Sequence, residues 1–271
     1  MTLPLSHDGV TLEPAGNGVA RLTWTRDLQE RGHQEASSII RERVELALGD
    51  LKQSRVETLI DPDDTDAIRI ATWAGLHREG VMRGVAQVGD AWADRVLFSR
   101  IAGDSPITEG TGFRSLLNSF LPRKRAISQL LIRDHQKRVL LCRLTYKQDW
   151  DLPGGVVEVG ESPQLAVRRE VEEELGLTLR AGPLLLTDWL PPWGGWDDAV
   201  CLVFDGGTHA EAILEGAVLQ TREIREAAFC TLDEVRERAA DFTARRIESA
   251  LTNLGANLGA APAYTESGRT T

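Results

Sequence analysis

Apolar residues return along this chain at two periods, and the switches between them lay out its elements. Residues 11–26, TLEPAGNGVARLTWTR, alternate around Gly16-Asn17-Gly18, the pattern of a hairpin. Ile40, Val44 and Leu48 then recur every fourth residue, with Ile39 and Ala47 beside them, which predicts an amphipathic helix over 34–49. Residues 56–60, VETLI, read as a strand. Asp64 or Thr65 suits the cap of a second helix running to Ala74, where Gly75 stops it. Residues 81–88 and 92–101 read as two strands about Gly89-Asp90. From 102 the periodicity lapses into Gly, Ser, Thr and Pro, and only FRSLLNSF suits a short helix. The expected division is therefore an α/β domain over 1–103 and a linker over 104–123.

Alternation and continuous apolar runs resume beyond the linker. Residues 125–134 and 137–144 read as strands joined at Asp134-His135-Gln136, 179–190 is an apolar run, and 198–207 and 227–231 carry further strands. Helical spacing marks 163–175 and 241–254. Strands wrapped by two helices predict an α/β/α sandwich with a mixed sheet over 124–254. A tail at 255–271 follows, in which AYTESG suits one short strand.

Composition narrows the class. The chain has 271 residues, 42% hydrophobic and 27% charged, as in globular proteins. No apolar run approaches the ~20 residues of a membrane span, and MTLPLSHDGVTLEP lacks the regions of a signal peptide, so a cytoplasmic location without membrane association is expected. The three cysteines, Cys142, Cys201 and Cys230, are far apart and read as buried thiols. A formal net charge of −10 disfavours a nucleic-acid polymer as partner but not a small phosphorylated substrate.

The unusual chemistry is concentrated in GGVVEVGESPQLAVRREVEEELGL, residues 154–177. Ser162 suits an N-cap, Pro163 a first helical position and Gly176 a C′ residue. On the helix between them Val167, Val171 and Leu175 align toward a core, while Glu170, Glu173 and Glu174 share one sector of about 100°. Glu170 and Glu174 repel at i, i+4, near the helix end where the dipole disfavours anions. A hard divalent cation with oxygen ligands, Mg²⁺ first and Mn²⁺ as the alternative, turns that repulsion into ligation.

The full pattern is G-x5-E-x7-R-E-U-x-E-E-x-G-U, with U aliphatic. It is filled by Gly155, Glu161, Arg169, Glu170, Val171, Glu173, Glu174, Gly176 and Leu177, a coincidence on the order of 10⁻⁷ by chance in a chain this long. With WDLPGG just before it, residues 124–240 resemble the Nudix hydrolases. The resemblance implies hydrolysis of a diphosphate joined to another moiety, either ADP-ribose-like or in a modified nucleotide. By position it makes Glu173 and Glu174 metal ligands, and Glu170 a further ligand or the general base. Arg169 would orient Glu170, and a carbonyl of the Gly154-Gly155 turn would complete the metal shell. Glu161 would fix the loop or hold a second metal through water. Glu223 or Glu226, beyond the motif, is the other candidate base. Trp150, Trp193 and Trp196 are the candidate substrate-binding residues, the last two in the PPWGGW loop at 191–196. A homodimer is expected from the resemblance alone.

The front half carries a second resemblance. RGHQEA at 31–36 is similar to the pyrophosphate loop of Gcn5-related N-acetyltransferases (GNAT), and 61–84, ending REGVMRG, is similar to that family's following segment. Gln34 stands where the loop has a small residue, and about 100 residues leave no room for the family's first strands. The expected role is thus a structural or partner-binding one for a partial GNAT-like domain. Two rival readings of the whole remain: a non-catalytic nucleotide sensor that binds a partner, and a bifunctional acetyltransferase-hydrolase.

Overall fold

A computed structural model describes residues 2–255 and 263–269. The chain divides into two compact units, Met1–Pro122 and Arg123–Thr271.

In the first unit β1 (Leu5–His7), β2 (Val10–Gly16) and β3 (Val19–Trp24) form an antiparallel meander. Asn17 and Gly18 turn β2 into β3 with φ of 49° and 76°, the left-handed pair that a tight hairpin needs. A short helix α1 (Arg26–Glu30) precedes α2 (His33–Gly49), which carries the chain over to β4 (Arg55–Ile60). Because β4 lies parallel to β3, a crossover of this kind is required. Ile40, Val44 and Ala47 of α2 are fully buried against the sheet. Asp64 caps α3 (Thr65–Trp73), its carboxylate accepting from the Ala67 N–H at 2.9 Å. The long hairpin β5 (His77–Val88) and β6 (Ala91–Ile101) completes a sheet of order β1-β2-β3-β4-β6-β5. Within 104–123, the stretch expected as linker, the chain builds α4 (Gly110–Phe120), whose Leu116 is buried.

The second unit is an α/β/α sandwich. Its strands are β7 (Arg125–Asp134), β8 (Val139–Leu144), β9 (Trp150–Asp151), β10 (Gly154–Val156), β11 (Leu184–Leu190), β12 (Ala199–His209), β13 (Ile224–Cys230) and β14 (Ala263–Glu266). The sheet order is β13-β8-β7-β12-β11-β14, with β10 on β7 and β9 on β8. β7/β12 and β11/β14 are parallel and the other pairs antiparallel. Helix α5 (Pro163–Leu175) covers one face and α7 (Asp241–Gly255) the other, with α6 (Leu232–Arg238) between β13 and α7.

The continuous apolar runs in β7 and β8 follow from this layering, because a strand covered on both sides needs apolar residues at every position. Leu130, Ile132, Leu140 and Cys142 face α5, whereas Leu131, Val139 and Leu141 face α7. Val167, Val171 and Leu175 are fully buried on the α5 side, each worth about 2 kcal/mol of apolar burial. The strand expected in the tail forms as β14. The rest of that expectation, at 256–262 and 270–271, lies outside the described residues. No helix among the described residues is long and apolar enough to cross a membrane.

Candidate active site

Helix α5 is set by its ends. The Ser162 hydroxyl accepts from the Leu165 N–H, Pro163 occupies the first turn, and Gly176 closes the helix at φ 66°. The last carbonyls are met from outside, with Val218 N–H donating to Leu175 O at 2.8 Å and Gln220 N–H to Glu174 O at 2.9 Å. Those two bonds draw the segment before β13 against the end of α5, and Glu223 arrives with it.

Arg169 is the hub of the acidic face. Its Nε and Nη2 donate to the two oxygens of Glu161 at 2.9 and 3.0 Å, and Nη1 donates to Glu170 at 2.9 Å and to Glu173 at 3.0 Å. Nη2 also reaches the Val156 carbonyl at 3.3 Å, fastening the loop to the helix. The bidentate grip holds the Glu161 carboxyl below the usual range and raises the guanidinium in turn. Glu161 is thereby engaged as an anchor, and Glu173 stays exposed on the solvent side of Arg169.

The two glycines opening the motif are there for close approach. A Cβ on Gly154, whose φ is 138°, would strike the Ser128 carbonyl and come within 2.8 Å of the Gln129 Cα. A Cβ on Gly155 would lie 2.6 Å from both carboxylate oxygens of Glu170. Glycine at 155 therefore leaves the space that the Glu170 carboxylate fills. Glu174 reaches the same turn from below, accepting from the Gly154 N–H at 3.0 Å.

Burial makes these acids unusual. Glu174 is only 5% exposed, and burial pushes its carboxyl up to about 8, with Glu170, Glu223 and Asp151 adding repulsion against the single stabilising bond from Gly154. Burial also raises Glu170, with Glu173 and Glu223 adding to it and Arg169 opposing. The acid sector expected from sequence is thus graded: Glu174 is buried, Glu170 partly so, and Glu173 is outside. Glu223 belongs to the same electrostatic group. Glu226 pairs instead with Arg143 on β8 at 3.8 Å.

A cavity of about 300 Å³ opens beside the Gly154-Gly155 turn. Trp193 and Trp196 line it from a tight hairpin whose Gly194 and Gly195 have φ of 56° and 85°. Trp193 meets Phe242 of α7 edge-on at 5.3 Å, and Arg125 stacks on Trp196 at 4.9 Å. Trp150 is not in this wall. It is buried in the α7-side core with the Arg238 guanidinium 5.0 Å above its ring, so it acts in packing.

Sequence reading missed the cavity floor. Arg246, 2% exposed, donates from Nε to Asp188 at 2.8 Å and from Nη1 to Gln129 at 3.0 Å. Gln129 donates on to Asp151 at 2.8 Å, and Lys147 closes the chain on Asp151 at 2.6 Å. Burial works to raise Asp151, but Lys147 and Arg246 prevail and hold it below the usual range. The only signal was a polar residue at a core register, namely Gln129 in ISQLLI, Asp188 in LLLTDWL and Arg246 on the inner face of α7.

The donor set suits a hard divalent ion. Glu174 is buried and Glu170 partly so, and the repulsion between these two oxygen donors is relieved by protons or by a cation. Among the described residues no three acidic, thiol or imidazole side chains already form a closed cage.

Comparison with known proteins agrees with this geometry. The NUDIX domain family model matches residues 122–250. A MutT-like protein of Streptomyces ambofaciens is 34% identical over 122 residues, 44% of this chain and 71% of that protein. Nudix hydrolase 26, chloroplastic, of Arabidopsis thaliana is 27% identical over 136 residues, 44% of this chain and 63% of the relative. A ribosomal-protein-S5-alanine acetyltransferase structure from Vibrio fischeri covers 36% of this chain and 55% of its own at 16% identity and a TM-score of 0.33, a likeness too slight to carry weight. An acid-bearing helix packed on a Gly-Gly turn, within such a match, defines a pyrophosphohydrolase. The chain belongs to the Nudix hydrolase family.

Proposed function

We propose that the second unit is a Mg²⁺-dependent pyrophosphohydrolase acting on the diphosphate of a nucleoside diphosphate-linked small molecule, with Mn²⁺ as an alternative ion. One observation carries the reading: the buried Glu174 and the partly buried Glu170 meet a side-chain-free turn at the mouth of an aromatic-walled cavity. Glu170, Glu173 and Glu174, with the Gly154 carbonyl, would hold the ion. Bound there, a divalent cation offsets charge on the phosphoryl oxygens and lowers the pKa of an attacking water.

The chain's own groups do the rest. Arg169 fixes the Glu170 carboxylate and restrains Glu173, and Glu161 fixes Arg169. Glu170 or Glu223 takes the water's proton, since the Glu223 charge is near enough to act on Glu170. The cavity holds the non-phosphate moiety. For the first unit we propose a structural or partner-binding role as a partial GNAT-like domain, which acetyl-CoA titration tests by showing no binding.

The test is a panel of ADP-ribose, nucleotide sugars, dinucleoside polyphosphates and oxidised nucleoside triphosphates, assayed for phosphate-ester products with and without Mg²⁺. Metal-dependent turnover of at least one, abolished in Glu173→Gln and Glu174→Gln while both still fold, is expected. No turnover of any member, or equal turnover by the variants, rejects the reading.

A further inference from the structure

Tyr146 stands in the loop between β8 and β9, and its neighbours on both sides are pinned. On one side the Thr145 N–H donates to the Glu223 carbonyl at 2.8 Å and the Thr145 hydroxyl to the Arg222 carbonyl at 2.7 Å. Arg225 donates in turn to the Thr145 carbonyl at 3.1 Å. On the other side Lys147 is tied to Asp151 at 2.6 Å, just before the Gly154-Gly155 turn. The loop is thus clamped between the segment that carries Glu223 and the strand that leads into the turn. The residue between the clamps is nevertheless 70% exposed, and its hydroxyl has no hydrogen-bond partner among the described residues. Tyr146 lines the same cavity as Gly154 and Gly155. A ring delivered on so fixed a base has already lost part of the freedom that binding otherwise costs.

The site beside it is short of free donors. The cations lining the cavity are each engaged: Arg125 with the Asp197 carbonyl and the Trp196 ring, Lys147 with Asp151, and Arg246 with Asp188 and Gln129. Arg169 is divided among Glu161, Glu170 and Glu173, and the Gly154 N–H is spent on Glu174. Phosphoryl oxygens turned away from a bound cation therefore need a donor from another group. A phenol suits that place, because it offers one O–H and carries no charge for the surrounding acids to pair with. It also keeps its proton. Partial desolvation of the hydroxyl, then the charges of Glu174, Asp151, Glu223 and Glu170, push the Tyr146 phenol up to about 12. The action of those four acids on it puts the phenol on the acid cluster's side of the loop.

Resting on the pyrophosphohydrolase reading of this site, we propose that Tyr146 is a further substrate-binding residue, its hydroxyl donating to a non-bridging oxygen of the diphosphate. The hydroxyl carries this role, and the ring serves to deliver it from the clamped loop.

The test measures binding of methylenediphosphonate, a diphosphate mimic whose P–C–P bridge is not hydrolysed, to the full chain in Mg²⁺ by titration calorimetry. The parent should bind, and Tyr146→Phe, which loses the hydroxyl alone, should bind at least fivefold more weakly. Tyr146→Leu, which loses the ring as well, should bind no worse than Tyr146→Phe. The side chain is largely exposed, so both variants keep the fold. A difference below fivefold between the parent and Tyr146→Phe overturns the proposal, and so does a parent that does not bind the probe. Parent-like binding by Tyr146→Phe beside weak binding by Tyr146→Leu also overturns it, since the ring face would then be the binding group. Weaker binding by Tyr146→Phe in a protein that hydrolyses nothing on the diphosphate panel would sink the catalytic reading and leave this one standing. Turnover of a panel member with unaltered probe binding by Tyr146→Phe would do the reverse.

Discussion

Glu174→Gln should change stability in opposite directions at low and high pH, and the structure says by how much. The Glu174 carboxyl is raised from an ordinary 4.5 to about 8 by burial, then by neighbouring acids. A folded-state pKa raised above the unfolded one favours the protonated form. The contribution is thus fully present below about pH 4.5 and is lost as pH rises through about 8. At about 1.4 kcal/mol per pH unit the ceiling on that loss is roughly 4 to 5 kcal/mol. Glutamine keeps the acceptor for the Gly154 N–H but adds an amide N–H₂ with no partner, at a cost of about 1–3 kcal/mol. Without metal, the variant should be less stable than the parent near pH 5 and about 2 kcal/mol more stable near pH 9. Urea titrations of both proteins in chelator at a series of pH values measure this. Saturating Mg²⁺ should restore the parent's advantage at high pH, because ligand binding to the folded state alone adds stability. A difference between the two proteins that stays constant from pH 5 to 9 would refute the buried-charge argument.

Other perturbations test neighbouring parts. Gly155→Ala drives a Cβ to 2.6 Å from the Glu170 oxygens, so turnover should fall at least a hundredfold while circular dichroism stays unchanged. Arg169→Lys replaces a fork that grips Glu161, Glu170 and Glu173 by one ammonium, and kcat should drop about tenfold to a hundredfold with KM little altered. Glu223→Gln should lower kcat at least tenfold and remove the acidic limb of its pH profile if Glu223 takes the proton; an unchanged profile assigns the base to Glu170. Val171→Asp, at a fully buried α5 position, should cost about 3 kcal/mol or more and is read by thermal unfolding.

Much of this molecule was legible because its elements obey local rules. The alternation in 11–26, the fourfold spacing of Ile40, Val44 and Leu48, and the Ser162 and Gly176 caps each fix an element without help from distant contacts. The Asp64 cap is similarly local. Residue spacing also brought Glu170, Glu173 and Glu174 to one sector, since helical geometry alone decides that. It could not grade them, because the burial of Glu174 depends on the Gly154 turn and on the segment arriving at 218–223. Trp150 and Trp193 look alike in sequence, yet one packs under Arg238 and the other walls a cavity, a distinction made by α6 and α7. Helix α4 was legible in FRSLLNSF but read as part of a linker because of the Gly, Ser and Thr around it, and its packing rests on the inward Leu116 and the close-packed Gly112.

The cavity floor also separates two kinds of change along the chain. The acids gathered around Arg169 and the Gly154-Gly155 turn lie within one short stretch, 161–174. The groups of the cavity floor are drawn from β7, β11, α7 and the far segment at 265–268, joined through Asp188 and Gln129. A substitution near the carboxy-terminal end can loosen Asp188, and through it Arg246, while every acid on α5 stays in place. A change at that end therefore disturbs the cavity floor before it disturbs the acids of α5.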